Sequence, residues 1–78
     1  MIKVNYFGYI AEAAQSDSET LNLTSVTLAE LLDLLDSSYS IRKFPFQVAV
    51  NRKIVSKLQD LTISDSDEVA LLPPFAGG

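Results

Sequence analysis

The sequence has 78 residues, a net charge of −4, and no cysteine, histidine or tryptophan. Its length allows one small domain, and a composition of 47% apolar and 21% charged residues is typical of a globular chain. The missing residue types exclude disulfides, thiolate zinc sites and Ser-His-Asp catalysis. The negative charge argues against non-specific nucleic-acid binding, and no apolar run is long enough to span a bilayer. We therefore expect a cytoplasmic protein with no nucleic acid and no membrane among its partners.

The first 24 residues predict a strand, a connection and a second strand. Apolar side chains at positions 2, 4 and 6 share one face of a strand over residues 1–9, and Phe7 lies on the other face. Residues 10–18 are predicted to be mainly a connection that could hold a short helical turn. Residues 19–23 are predicted to be the second strand, which makes a hairpin with the first.

The hydrophobic period then changes to that of a helix. Leucines at positions 28, 31, 32 and 35 share one helical stripe. Thr27 and Glu30 have the spacing of a capping box, in which each side chain accepts a hydrogen bond from the other residue's backbone N–H. Ser37 and Ser38 are predicted to end this helix.

The second half of the chain predicts three more strands. Residues 46–50 form one, a two-residue turn at Asn51 and Arg52 leads into a short one at 53–55, and residues 68–72 form the last. Residues 58–63 are predicted to tuck a loop beneath the domain. The pattern predicts an α+β domain over residues 1–72, with a mixed sheet of about five strands and one main helix on one face. A parallel first and last strand would make it a β-grasp, or ubiquitin-like, fold.

No group of residues within the domain has the pattern of a catalytic or metal site. Asp65, Asp67 and Glu68 are acidic, but their spacing matches no calcium-binding loop, so a solvated turn is predicted. The three tyrosines have no visible base beside them. We expect no stand-alone catalytic machinery and no metal.

The C-terminal residues 73–78 are predicted to be a flexible, extended tail. They are Pro73, Pro74, Phe75, Ala76, Gly77 and Gly78. The prolines stop the last strand, and the tail can reach on the order of 20 Å when extended. The glycines are slim enough to thread a narrow channel in another protein, where the only reactive group would be the Gly78 carboxylate. That group is inert until it is activated, for instance as an acyl-adenylate.

Residues 65–78, together with the opening residues 1–4 and the segment 49–51, resemble the small, sulfur-carrier subunits of molybdopterin synthase. The ending Pro-Pro-x-x-Gly-Gly is the most specific part of this resemblance. It implies a β-grasp fold with a C-terminal thiocarboxylate at Gly78. An adenylating, ubiquitin-activating-like enzyme would use ATP to activate Gly78, and sulfur would then replace oxygen.

The resemblance also implies a partner that performs the chemistry. The tail would enter the large subunit of molybdopterin synthase, and sulfur would pass to cyclic pyranopterin monophosphate. This chain would be the sulfur-donor subunit of a two-protein sulfurtransferase and would bind no cofactor stably.

Three residues, in two places, depart from the family pattern. Ser66 stands where the family usually has glycine; if that position needs a positive φ, serine would cost on the order of 1 kcal/mol. Leu71 and Leu72 stand where members often carry aromatic residues, which puts the detailed shape of a docking surface in question.

An apolar patch at the base of the tail is the candidate docking surface. Phe7, Leu72 and Phe75 would lie together if the first and last strands are parallel neighbours, with Ala70 and Tyr9 at the margin. The alternative is that Phe75 folds back onto the domain and Phe7 is an ordinary edge residue.

Three other functions remain open. The chain could be the sulfur carrier for thiamine thiazole synthesis, or a ubiquitin-like modifier joined to proteins through Gly78. It could also be a binding module whose exposed sheet face acts while the tail is idle.

Overall fold

A computed structural model describes residues 1–55 and 61–74 of the chain. Within those residues the elements run in this order: β1 (Ile2–Tyr6), α1 (Gly8–Ala14), β2 (Ser18–Leu21), β3 (Ser25–Thr27), α2 (Leu28–Tyr39), a 3₁₀ turn (Ile41–Lys43), β4 (Gln47–Val50), β5 (Lys53–Val55), β6 (Thr62–Ser64) and β7 (Glu68–Leu72). In the same residues, no helix has the length and apolar character needed to cross a membrane.

The main sheet has the strand order β2-β1-β7-β4-β5 across the described part of the chain. The first and last strands are parallel neighbours, with Val4 opposite Val69, and the other pairings are antiparallel. Placing the last strand in the centre beside the first gives the β-grasp fold. The expected α+β class and mixed sheet with one main helix on one face are confirmed.

The core lies between the inner face of the main sheet and α2. Alternation in β1 and β7 turns Ile2, Val4, Val69 and Leu71 inward, and all four are fully buried. The α2 stripe meets them through Leu28, Leu31, Leu32 and Leu35. Each buried leucine of this kind contributes about 2 kcal/mol by leaving water.

Helix α2 begins with the predicted capping box. The Glu30 N–H donates to Thr27 Oγ1 at 3.1 Å, and the Thr27 N–H donates to Glu30 Oε1 at 3.2 Å. The predicted end at Ser37 and Ser38 is wrong, since the helix runs on to Tyr39. It stops at Ser40, which takes a left-handed conformation that the sequence did not indicate.

The N-terminal region differs from the prediction at residues 7–14. The predicted strand over residues 1–9 ends at Tyr6, and the chain enters α1 at Gly8 with φ +59°. Most of the predicted connection is therefore helical. Ile10 and Ala14, four residues apart, are buried on one side of α1, and this short pattern explains why a helix forms here.

The remaining connections are mostly as predicted. Asn51 and Arg52 both have positive φ, as a tight hairpin turn requires. The predicted loop over residues 58–63 is wrong at its end, because β6 pairs with β3 there; its residues 58–60 lie outside the described residues. Ser66 lies in a turn but is not among the residues with positive φ, so the predicted penalty does not arise.

Candidate functional site: the base of the C-terminal tail

The tail leaves the main sheet at the end of its central strand. Strand β7 ends at Leu72, Pro73 is half-buried, and Pro74 is exposed. Neither proline has an N–H to continue a ladder, so the strand stops there for a covalent reason. Phe75, Ala76, Gly77 and Gly78 lie outside the described residues, and their predicted roles stay predictions.

The structure brings Phe7 and Leu72 to the same end of two neighbouring central strands, β1 and β7. The register pairs Tyr6 with Leu71, and the Phe7 N–H donates to the Leu71 carbonyl oxygen at 3.1 Å. Phe7 and Leu72 follow these inward residues, so both lie on the outer face, which we define as the side of the main sheet away from α2. Phe7 is 50% exposed. We call Phe7 and Leu72 the docking pair.

A second row of small and apolar residues crosses the outer face. Ala70 lies opposite Ala49, which in turn lies opposite Ile54. Ile54 is 52% exposed, as much as Phe7. Ile54 was not among the predicted site residues, although its alternation with the inward Val55 would have placed it on this face.

Gln47 is the polar member of the docking pair's row. It lies opposite Leu72, and its Oε1 atom is buried without a hydrogen-bond donor among the described residues. A buried amide oxygen left without a donor costs about 1–3 kcal/mol. Gln47 was not among the predicted site residues, since its burial depends on the register between β4 and β7.

Gly8 and Pro73 are in close contact beneath the tail. A β-carbon built on Gly8 would lie 2.7 Å from Pro73 Cγ and 3.3 Å from Pro73 Cδ. The first distance is shorter than carbon atoms tolerate and the second is tight, so an added β-carbon would force a shift. Glycine is favoured at this position for two reasons: it accepts the positive φ, and it leaves room for the proline ring.

Tyr9 fastens α1 to the segment before β4. Its hydroxyl donates to the Pro45 carbonyl oxygen at 2.5 Å, and its ring centroid lies 5.3 Å from that of Phe44. Tyr9 was predicted at the margin of the docking surface. The chain is already helical at Tyr9, so the strand alternation behind that prediction does not extend to this residue, which packs against the core instead.

Tyr6 and Tyr39 both have a carboxylate partner, contrary to the sequence-based expectation. Their hydroxyls donate to the same Glu19 Oε1, at 2.6 and 2.7 Å, and their rings meet edge to face at 5.9 Å. Burial, followed by the Glu19 hydrogen bond, raises the pKa of Tyr6. The Glu19 hydrogen bond, followed by burial, raises the pKa of Tyr39. This trio joins β1, β2 and α2, and pairings so distant in sequence leave no local signal.

The acidic residues 65–68 form a turn held by hydrogen bonds. Asp67 accepts from Asn51 Nδ2 at 3.0 Å and from the Ser64 N–H at 2.8 Å. These bonds hold the pKa of Asp67 below its ordinary value, with the Asn51 bond contributing most. Across the described part of the chain, no three acidic side chains come together as a metal site would require.

Three comparisons with known proteins agree with this geometry. A model of the ThiS family matches residues 4–78. The molybdopterin synthase sulfur carrier subunit of Dictyostelium discoideum is 31% identical, over 97% of this chain and 94% of that protein.

Two solved structures have the same fold. One is a chain of the protein–protein complex of subunits 1 and 2 of the molybdopterin-converting factor from Helicobacter pylori. That match has a TM-score of 0.71 at 24% identity, over 99% of this chain and 97% of that chain. SAMP1 of Haloferax volcanii, a small archaeal modifier protein, matches with a TM-score of 0.75 at 25% identity, over 99% of this chain and 98% of that chain.

Proposed function

The chain belongs to the ThiS family, and from that premise we propose that it is the sulfur-carrier subunit of a molybdopterin synthase. The observation that carries the proposal is the match to a curated sulfur carrier subunit over nearly the whole of both chains. The family match also extends to Gly78, the residue that would carry sulfur. The Pro-Pro-x-x-Gly-Gly ending supplies the group that such a carrier needs.

The proposed chemistry takes place at the Gly78 carboxylate. An adenylating enzyme joins this carboxylate to the AMP part of ATP and releases pyrophosphate. Hydrosulfide, or an equivalent donor of sulfide-level sulfur, then attacks the acyl carbon, the bond to the AMP oxygen breaks, and AMP departs, leaving Gly78 as a thiocarboxylate. No side chain of this domain needs to act as a catalyst, which agrees with the absence of cysteine and histidine from the sequence. Because Gly77 and Gly78 have no side chains, the adenylating enzyme and the large subunit can each approach the reacting carbon closely.

The proposed acceptor is cyclic pyranopterin monophosphate held in a large subunit. The large subunit would bind the outer face at the docking pair, with Phe75 completing the contact, while residues 73–78 enter its active site. Support comes from the exposed Phe7, which lies at the same end of the neighbouring strands β1 and β7 as Leu72 and Pro73. The Helicobacter pylori complex shows that a protein of this fold assembles with a second subunit.

Intact-mass measurement of the protein isolated from its own host tests the carrier role. We expect a fraction of the chains to be heavier by the difference between sulfur and oxygen, at Gly78. A variant lacking Gly77 and Gly78 is the matched control and should show no such species. Complete absence of the heavier form in host cells that are making molybdenum cofactor would contradict the proposal.

The similarity to SAMP1 favours one alternative, a protein modifier attached through Gly78. Both functions need an activated Gly78, but only the modifier leaves it linked to lysines of other proteins. Peptide mapping of the host proteome for such linkages separates the two.

Loss of molybdoenzyme activity on deletion of the gene separates the molybdopterin pathway from the thiamine pathway.

A further inference from the structure

We propose that Gly8 is a positioning residue for the tail. Because it lacks a β-carbon, Gly8 lets Pro73 leave the main sheet along a path that any side chain at position 8 would block. This inference rests on the proposed sulfur-carrier function, since it concerns the delivery of Gly78 to a partner's active site.

The contact between Gly8 and Pro73 leaves no room for a β-carbon at position 8. A β-carbon at position 8 would lie 2.7 Å from Pro73 Cγ, which is an atom of the proline ring. A proline ring is tied to its own backbone, so it cannot swing aside as the end of a long side chain can. A change of ring pucker can relieve part of the Cγ contact, and the rest, together with the Cδ contact, is relieved by a shift of α1 or of the backbone at Pro73.

The Gly8 side of the contact is held in place. The hydrogen bond from the Phe7 N–H to Leu71 fixes the end of β1 against β7. Beyond Gly8, Ile10 is fully buried in the core, and the Tyr9 hydroxyl is bonded to Pro45. Pro73 is only half-buried and follows the last residue of β7, so it is the side that yields.

Moving Pro73 changes where the tail begins relative to the docking pair. Five residues follow Pro73, and they span up to about 17 Å when extended. A partner bound to Phe7 and Leu72 has its active site at a fixed distance and direction from them. A misplacement of about 1 Å at a reacting centre can reduce a rate by about 100-fold.

Three variants separate the steric contact from backbone strain. Gly8→Ala introduces both the β-carbon and an unfavourable positive φ. Gly8→Asn introduces the β-carbon, but asparagine tolerates the left-handed conformation. Gly8→Ala combined with Pro73→Ala keeps the strain and removes the ring atoms that collide, with Pro73→Ala alone as its reference.

The measurement is single-turnover sulfur transfer to the pterin acceptor in the large subunit, from protein that already carries the Gly78 thiocarboxylate. Affinity for the large subunit is measured on versions lacking Gly77 and Gly78, and thermal unfolding reports on the fold. We expect Gly8→Ala and Gly8→Asn to slow transfer by about 10- to 100-fold with unchanged affinity. In the Pro73→Ala background, Gly8→Ala should have no further effect on the rate.

Three results would contradict the positioning role, and each would have a different meaning. If Gly8→Asn transfers sulfur at the wild-type rate, the positioning role is wrong, whether or not Gly8→Ala folds. An equal loss from Gly8→Ala with and without the proline ring would assign the effect to strain and also overturn the role. A wild-type thiocarboxylate that transfers no sulfur at all would overturn the proposed function, and this role with it.

Discussion

At the scale of single residues, Glu19 holds together parts of the chain that are far apart in sequence. One carboxylate oxygen accepts from Tyr6 of β1 and from Tyr39 at the end of α2. Hydrogen bonds to a charged acceptor are stronger than neutral ones, contributing about 1.5–3 kcal/mol each. The bonds require both hydroxyls to keep their protons, which makes the fold sensitive to alkaline pH.

We predict that the free energy of unfolding falls as the pH rises above 10. The pKa of both tyrosines is raised from an ordinary value of 10.0 in the folded state, so the unfolded chain loses these protons first. The stabilisation is complete below pH 10 and is lost as the pH rises through the raised pKa values of the folded state, by at most about 1.4 kcal/mol per pH unit for Tyr6 and by less for the more exposed Tyr39. Urea unfolding at a series of pH values measures this slope.

Tyr6→Phe provides the control for the alkaline prediction. Phenylalanine keeps the buried ring but has no proton to lose, so the decline should become shallower. An identical pH dependence in wild type and Tyr6→Phe would show that Tyr6 does not contribute to the effect.

At the scale of elements, Asn51 joins two turns. Its backbone N–H donates to the Glu68 carbonyl oxygen at 2.8 Å, and its side-chain Oδ1 accepts from the Glu68 N–H at 3.0 Å. Its Nδ2 donates to Asp67. One residue therefore links the β4–β5 hairpin to the start of the central strand, and does so at φ +52°.

We predict that Asn51→Ala destabilises the protein more than Asn51→Gly does. Both changes remove the side-chain hydrogen bonds, but only alanine is also strained at this positive φ. The difference should be about 1–2 kcal/mol, measured by urea denaturation. Equal stability of the two variants would mean that the turn relaxes to another conformation.

Local patterns in the sequence predicted those elements that local physics determines. The capping box of Thr27 and Glu30 and the tight turn at Asn51 depend on neighbours within a few residues, and both are confirmed. Helix α1 was missed because it is one short amphipathic stretch entered through a glycine at positive φ. The Glu19 trio and the buried Gln47 oxygen depend on register between distant segments, so no local pattern could reveal them.

At the scale of the whole molecule, the two sides of the main sheet differ. The inner face is buried by α2, and the outer face leaves Phe7 and Ile54 about half exposed. In the described part of the chain α2 covers only the inner face, so the apolar part of the outer face around Phe7 and Ile54 is a candidate contact for a second protein. The sequence predicted the position of Phe7 beside Leu72 because strand alternation and a parallel first and last strand suffice to place it.

We predict that Phe7→Arg weakens binding to the large subunit by at least tenfold and leaves the monomer folded. Arginine at the centre of an apolar contact would have to lose its hydration without a partner. Leu34→Arg is the matched control, because Leu34 is 44% exposed on α2, on the other side of the molecule. Calorimetric titration of both variants measures the change, and equal affinities would remove Phe7 from the interface.

The central position of β7 has a mechanical consequence. The strand that leads into the tail is hydrogen-bonded along its length to β1 on one side and to β4 on the other. A force applied to the C-terminus along the strand would load both ladders in shear, so that many bonds resist at once. Under the proposed function, a partner that draws the tail into its active site would pull on a strand that is hydrogen-bonded on both sides, and the two ladders would oppose that pull together.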